Sequence, residues 1–499
     1  MSNSRLEGLQ GDFAKVIDVH SAISLLHWDL EVYMPPKGAA ARGQQIATLS
    51  AIAHRMLTDV SMADALSELS EEGSLSGDDA ATVREIQHDY DTAAKLPESY
   101  VTKFAEEQNK AYHAWIDARE RSDFKSFQPH LEILVDLLRQ KADLMGYEGS
   151  PYNALLDEYE RGMTAEEIKP IFSVLAERQS DLVEKIMQSP NQPDIAWLDQ
   201  DWDAQAQWDF TLEVLKDMGY DFDAGRQDKS VHPFTTNFDV NDVRVTTRIH
   251  ERELFSGLTG SIHEGGHALY EQGFLPGDQR TVLGQAASLG IHESQSRMWE
   301  NMIGRSLPFW SHYESKVKGY YPGQLDSLDA NDLFRAVNAV QPSLIRVEAD
   351  ECTYNLHIIL RFEIEAALIE GAMTVAEIPE VWNSKMKEYL GLDVPSDAEG
   401  CLQDIHWSHG SMGYFPTYAL GNLYAAQLFE QIETDLPNLW TDVGRGAFGA
   451  LLGWLRTNVH ELGRRKLAPE IVEKVTGKAP SSEPYLRYLE SKYSELYGL

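Results

Sequence analysis

The spacing of apolar residues along this chain follows the helical period over most of its length. After Pro97, the positions Val101, Phe104, Ala105, Ala111, Tyr112 and Trp115 recur at helical spacing with Glu and Lys between them, which predicts an amphipathic helix laid on a core. Pro129 is expected to open a second helix, with Leu131, Leu134, Val135, Leu138 and Ala142 inward and Gly146 closing it. Thr164 and Glu167 have the spacing of a capping box ahead of Ile168, Ile171, Phe172 and Leu175. Similar segments fill both ends of the chain. No internal repeat, low-complexity tract or interdomain linker is evident, and the Pro-, Asp- and Gln-containing stretch 189–203 reads as a long loop. The expectation is one domain over residues 1–499, built as a single body or as two packed helical lobes.

One region departs from this period. Between Val231 and Ile249 the sequence alternates, with Val243, Val245, Thr247 and Ile249 on one side and Arg244, Thr246 and Arg248 on the other. This predicts a strand pair joined by a turn at Asn241-Asp242. Its plain role is a small hairpin covering the core; its functional role would be an edge along which an extended peptide lies as an added strand.

About a dozen residues on comes Ser261-Ile262-His263-Glu264-Gly265-Gly266-His267, and then His292-Glu293. Positions four apart share one face of a helix, so His263 and His267 can offer two imidazoles to one metal ion. Glu293, 26 positions after His267 and beyond the turn-forming Gly273, Pro276, Gly277, Gly284 and Gly290, is placed to return on a second helix as the third ligand. Glu264 projects beside such a metal without binding it, where a carboxylate can take a proton from a water held there. Zn²⁺ is the expected ion, with Co²⁺ or Mn²⁺ as substitutes. Gly265 and Gly266 each cost about 1 kcal/mol against Ala inside a helix, which points to close approach by another backbone or by substrate. The fold class is therefore mostly α: a large helical zincin with a small β-sheet beside the HExxH helix.

Composition narrows the partners. Lys+Arg 43 against Asp+Glu 79 gives a formal charge of −36, which argues against nucleic acid and anionic membranes. An anionic substrate terminus would meet a repulsive field, so the site must supply its own cations. Two cysteines, Cys352 and Cys401, cannot make a disulfide framework and point to a reducing compartment. The stretch MSNSRLEGLQGDFAKVIDVHS lacks a basic segment followed by an apolar one, and no apolar run reaches the length of about 18 residues that spans a membrane. A cytoplasmic location is expected.

Six segments, in order, resemble the carboxypeptidase Taq family of metallocarboxypeptidases: His232-Pro233-Phe234, Asp242-Val-Arg244-Val-Thr246, His263-Glu264-Gly-Gly-His267, His292-Glu293-Ser294-Gln295, Ile345-Arg346-Val-Glu-Ala349-Asp350, and Gly400-Cys-Leu-Gln403-Asp404-Ile-His406-Trp407. His27-Trp28-Asp29 through Met34-Pro35, Tyr152-Asn153-Ala154-Leu155-Leu156-Asp157 and Tyr414-Phe415-Pro416-Thr417-Tyr418 carry the likeness across nearly the whole chain. The resemblance implies a mostly helical, saddle-shaped protein with a deep substrate groove, usually a homodimer, that removes residues one at a time from the free C-terminus of peptides. It also places His406 and Tyr418 as donors to the oxyanion. Arg346 falls at the family's carboxylate-binding position, where a planar guanidinium fork suits a terminal carboxylate; otherwise it would be a surface ion-pair partner of Glu348 or Asp350.

Arg244 is a second carboxylate candidate, or a partner of Asp242, and His232, with Pro233 fixing the backbone after it, is a candidate lining residue of the same pocket. Asp350 or Glu351 could orient the metal-bound imidazoles, because the position four after Glu293, which in some zinc peptidases is Asp, is Arg297 here. Two other functions fit parts of this pattern: a helical zinc oligopeptidase or dipeptidyl carboxypeptidase, and an inactive peptide-binding scaffold. Intact Glu264 and three ligands argue against the scaffold.

Overall fold

A computed structural model describes residues 4–71 and 75–499 of the chain. Its centre is set by two helices, Tyr354–Glu370 and Pro416–Asp435, whose side chains are buried on nearly every face. A helix apolar all round has no solvent face and must be enclosed by others. Most of the buried apolar residues, from Ala111 to Tyr497, join one continuous core around this pair. A second, smaller cluster gathers Leu6, Leu9 and Phe13 with Met62, Leu66, Leu69 and Ile86, and rests on Val282 and Leu283. Arg464 ties this N-terminal helical layer to the rest through Glu85 and Asp89, at 3.1 and 2.8 Å.

The helix after Pro97 runs Glu98–Arg121, with Ala111 and Trp115 buried, but Val101 is 45% exposed, so the apolar stripe does not reach the first turn. The helix expected to open at Pro129 instead starts earlier, at Phe124, and carries Pro129 inside it. Its start is fixed from outside the segment: the Asp397 carboxylate accepts the Phe124 N–H at 3.0 Å, just after Ser122 has ended the preceding helix at φ 52°. Leu131, Leu134, Val135, Leu138 and Ala142 all face inward as their spacing requires. The Thr164–Glu167 capping box is formed on both sides, and 189–203 contains only a single 3-10 turn, Ala196–Leu198.

The sheet has three strands in the order β1-β3-β2, namely β1 (Gln227–Lys229), β2 (Thr235–Asp239) and β3 (Asp242–Thr247). β2 and β3 form the expected antiparallel pair, with Thr235 opposite Val245. The parallel strand β1, with Gln227 opposite Val245, was not expected. Val243 and Val245 are fully buried as the alternation demands; Thr246, assigned to the polar side, is buried too, its Oγ1 accepting the Phe234 N–H at 2.9 Å and lying 2.7 Å from Ser230 Oγ. β2 is one of the two edge strands, and it lies against the helix Ser256–Glu271 that carries the HEGGH segment.

Candidate active site

Helix Ser256–Glu271 places His263 and His267 one turn apart, with ring centroids 4.9 Å from each other. Helix Leu289–Arg297 brings Glu293 in from the side. This second helix is fixed by its N-terminus: Ser288 Oγ accepts the Ile291 N–H at 3.0 Å, and the buried Glu160 carboxylate accepts from Gly290 N at 2.8 Å, Ser288 Oγ at 3.1 Å and Tyr424 OH at 3.0 Å.

Two glycines allow the approach. A Cβ on Gly266 would stand 2.6 Å from Ser296 Cα and 2.7 Å from Gln295 O, so the ligand-bearing helices touch backbone to backbone. A Cβ on Gly421, in the helix behind, would lie 2.6 Å from Glu293 Cβ. The glycine pair therefore serves close packing: Gly265 faces Leu215 and Gly266 faces the other helix.

The donor set suits a tetrahedral ion. Nε2 of His263 and of His267 lie 3.5 and 3.3 Å from Glu293 Oε2, and the three ligand atoms all fall within 4.8 Å of one another. Zinc bonds of about 2.0–2.1 Å at tetrahedral angles set neighbouring ligand atoms about 3.3 Å apart. The other Glu293 oxygen is engaged by Arg297 Nε at 2.7 Å, which turns Oε2 toward the histidines. Burial alone would raise the Glu293 carboxyl; Arg297 and the histidines outweigh it and hold the group well below the usual range, ionised.

The expected orienting groups, Asp350 and Glu351, are elsewhere. Asp350 accepts the backbone N–H of Gln341, Cys352 and Thr353, and Glu351 is bound by Lys492 and Tyr488. Their place is taken by Glu300, on a π-helical turn Met298–Gly304 that continues the Glu293 helix. His263 Nδ1 meets Glu300 Oε2 at 2.9 Å, while Arg297 and Arg305 reach the same carboxylate at 3.3 and 3.0 Å. Arg297, which replaces the acid at that position, thus bridges the carboxylates of Glu293 and Glu300. His267 is backed differently, by a hydrogen bond from its Nδ1 to His292 Nδ1, with His292 Nε2 lying 2.7 Å from Glu271 Oε1. None of this support was assigned from the sequence, although Glu300 lies seven residues after Glu293, a spacing that returns to the same helical face.

Glu264 lies beside the triad, with 6% of its surface exposed, and Thr235 Oγ1 on β2 donates to its Oε2 at 2.7 Å. Burial raises the Glu264 carboxyl; His263 and the Thr235 bond oppose the rise.

Arg346 is 6% exposed, and it pairs neither with Glu348 nor with Asp350. Its Nε and Nη2 donate to Asp404 Oδ1 at 3.0 and 2.8 Å, and its Nη1 donates to Tyr354 OH at 3.0 Å. Asp404 also binds the fully buried Arg361, at 2.6 Å, so two guanidinium groups share one carboxylate. Tyr354 joins this cluster to the metal triad, because Arg297 stacks over its ring at 4.4 Å. Tyr418 lies under Arg346, at 5.3 Å, and on the same helix face as Gly421, which abuts Glu293. Burial and Tyr414 push the Tyr418 hydroxyl well above its ordinary value, so it remains a donor. His406 packs on Phe415 with centroids 4.5 Å apart; burial pushes it down to about 4, and its Nδ1 is buried without a partner.

The remaining two candidates fall outside this constellation. Arg244 makes a two-bond pair with Asp242, at 2.7 and 2.8 Å, and is sandwiched between Trp28 and Phe238, at 4.4 and 4.8 Å. His232 is exposed at the approach to β2, where its carbonyl accepts from Ser230 Oγ.

Over residues 8–493 the chain matches the family model described as carboxypeptidase Taq (M32) metallopeptidase. It is 42% identical over 490 residues to thermostable carboxypeptidase 1 of Thermus thermophilus, covering 95% of each chain. It is 40% identical over 490 residues to carboxypeptidase 1 of Bacillus subtilis, covering 98% of each. The crystal structure of an M32 carboxypeptidase from Deinococcus radiodurans R1 superposes with a TM-score of 0.97 at 37% identity, over 100% of both chains.

Proposed function

Because the chain belongs to the carboxypeptidase Taq (M32) family and is a metallocarboxypeptidase, we propose that His263, His267 and Glu293 hold a zinc ion and that Glu264 is the general base in the release of single C-terminal amino acids from peptides. The observation that carries this reading is the convergence of three ligand atoms within 4.8 Å beside a buried carboxylate on the same helix. A divalent ion held there supplies an electrophile that polarises water and the scissile carbonyl; Co²⁺ or Mn²⁺ could serve in place of zinc. Glu264 accepts the proton of the attacking water at its carboxylate and returns it to the leaving amine. Its burial supports the second step, because a carboxyl with a raised pKa holds a proton more readily than an exposed one.

Tyr418 and His406 donate to the oxygen that gains charge, both neutral at pH 7. Arg346 anchors the substrate's free carboxylate. Two guanidinium groups on one Asp404 leave a unit of positive charge beside the metal triad, which supplies the local cation that a chain of charge −36 needs to admit an anionic terminus. The peptide extends from this anchor along edge strand β2, toward His232. Arg244, already paired and stacked, closes that end of the sheet.

On this reading the protein acts as one domain and as a homodimer in the cytoplasm, supported by the family resemblance and by two free, buried cysteines. No helix among the described residues is long and apolar enough to cross a membrane. Digestion of a defined peptide, followed by mass spectrometry, tests the proposal: products should shorten by one residue at a time from the C-terminus, and internal or paired release would assign the oligopeptidase reading instead.

A further inference from the structure

We propose that strand β2 is a positioning element of the reaction: Thr235 sets the carboxylate of Glu264, and Asn237 acts through Glu271 and His292 on the ring of His267. The inference rests on the functional reading above, in which Glu264 is the base and His267 a ligand. Thr235 and Asn237 alternate onto one face of the strand, and Glu264 and Glu271 lie two turns apart on the facing side of the helix. The two faces meet through the Thr235–Glu264 bond, at 2.7 Å, and a hydrogen bond from Asn237 Nδ2 to Glu271 Oε2.

The chain of bonds beyond Asn237 fixes two tautomers. The Glu271 carboxylate accepts from Asn237 and faces His292 Nε2 at 2.7 Å, so Nε2 carries the proton and His292 Nδ1 is left as an acceptor. His267 Nδ1 must then donate to it, which leaves the lone pair of His267 on Nε2, the nitrogen that faces Glu293 at 3.3 Å. The His292 imidazole thus passes the orienting effect of a carboxylate to His267, whereas His263 receives it directly from Glu300. Thr235 has one hydroxyl proton, shared between Glu264 Oε2 and, at 2.9 Å, Glu264 O, so the same contact ties the carboxylate to its own backbone. The competing account is that His292 is a packed histidine resting on Tyr270, with centroids 5.2 Å apart.

The test uses the full chain and measures zinc affinity by chelator competition alongside kcat and KM. His292→Ala and Glu271→Ala should each weaken zinc binding by about 10- to 100-fold, and the double variant should be no weaker than the worse single one. His292→Gln, which keeps an acceptor oxygen, should recover part of the loss, and it carries the test if the alanine variants do not fold. Thr235→Val should keep zinc affinity and KM but lower kcat about 10-fold or more, with Thr235→Ser restoring it. Folded His292→Ala with wild-type affinity, additive losses in the double variant, or unchanged kcat in Thr235→Val would overturn the inference. His267→Ala that keeps the metal, or Glu264→Gln that keeps kcat, would instead overturn the functional reading beneath it.

Discussion

His263 Nδ1 and Glu300 Oε2 stand 2.9 Å apart, and the pair exists because the helix carrying Glu293 widens into a π turn before Glu300. Such widened turns are rare and occur frequently at functional sites. Burial alone would raise the Glu300 carboxyl, but Arg297, the His263 bond and Arg305 outweigh it and hold the group well below the usual carboxylate range. It therefore accepts from His263 Nδ1 and leaves Nε2, which faces Glu293, with the free lone pair. Glu300→Gln should weaken zinc binding by about 10- to 100-fold in chelator competition. Wild-type affinity would reduce Glu300 to an ion-pair partner of the two arginines.

Metal removal and loss of the base should separate cleanly. Chelation should abolish peptide hydrolysis, and Zn²⁺, Co²⁺ or Mn²⁺ should restore it. Glu264→Gln should retain metal near stoichiometry while losing at least about 10³ in kcat. Loss of metal in that variant would make Glu264 a structural support, and retained turnover in metal-free protein would end the mechanism.

What the sequence disclosed, and what it withheld, follows from the range of the interactions. The HEGGH face, the β2–β3 pair and the Thr164 cap are local patterns, written within a few residues, and each is formed. Strand β1 has only Gln-Asp-Lys, with no alternating apolar signal, and exists because it pairs with β3. The start of the Phe124 helix depends on Asp397, and the partner of Arg346 is Asp404, 58 residues on; neither leaves a mark near the residue it acts on. Glu300 was in register with Glu293, yet its reach to His263 depends on a π turn that no periodicity announces.

The close contact at Gly266 makes a sharp stability prediction. In Gly266→Ala the added Cβ would have to displace backbone atoms of Ser296 and Gln295 from 2.6 and 2.7 Å. Overpacking of this kind costs about 1–3 kcal/mol or more, and the displaced helix carries Glu293, so zinc affinity should fall with it. Gly8→Ala is the control: it lies in helix Ser4–Val32 with no heavy atom within 4 Å of its Cβ position, and it should stabilise by up to about 1 kcal/mol. Thermal melts of both variants check the contrast; a neutral Gly266→Ala would mean that the helices can part without loss.

Glu160 predicts a pH dependence of stability. Burial pushes its carboxyl from the ordinary 4.5 up to about 7, opposed by the donors from Gly290, Ser288 and Tyr424. Between those values the folded protein holds a proton that the unfolded chain has released, so this contribution is fully present below about pH 4.5 and is lost as pH rises through 7. The swing is of the order of 3 kcal/mol. Glu160→Gln cannot ionise, so its stability relative to wild type should improve between pH 5 and pH 8 in denaturant titrations. A constant difference across that range would show that Glu160 stays charged in the folded state.

Specificity for a free terminus should reside in Arg346. Arg346→Ala removes a guanidinium from Asp404 but leaves Arg361 on that carboxylate at 2.6 Å, so the variant does not strand a bare buried charge and should fold. It does remove the excess positive charge that would hold a substrate carboxylate by charge-assisted bonds. The loss in kcat/KM should be about 2–5 kcal/mol for a free-acid peptide and far less for its C-terminal amide, which wild type should already cleave poorly. Comparing both peptides in wild type, Arg346→Ala and Arg244→Ala decides the matter. Equal cleavage of acid and amide by wild type would move the protein to the oligopeptidase reading. If only Arg244→Ala erased the preference, the anchor would belong on β3, and Arg346 would serve only to neutralise Asp404.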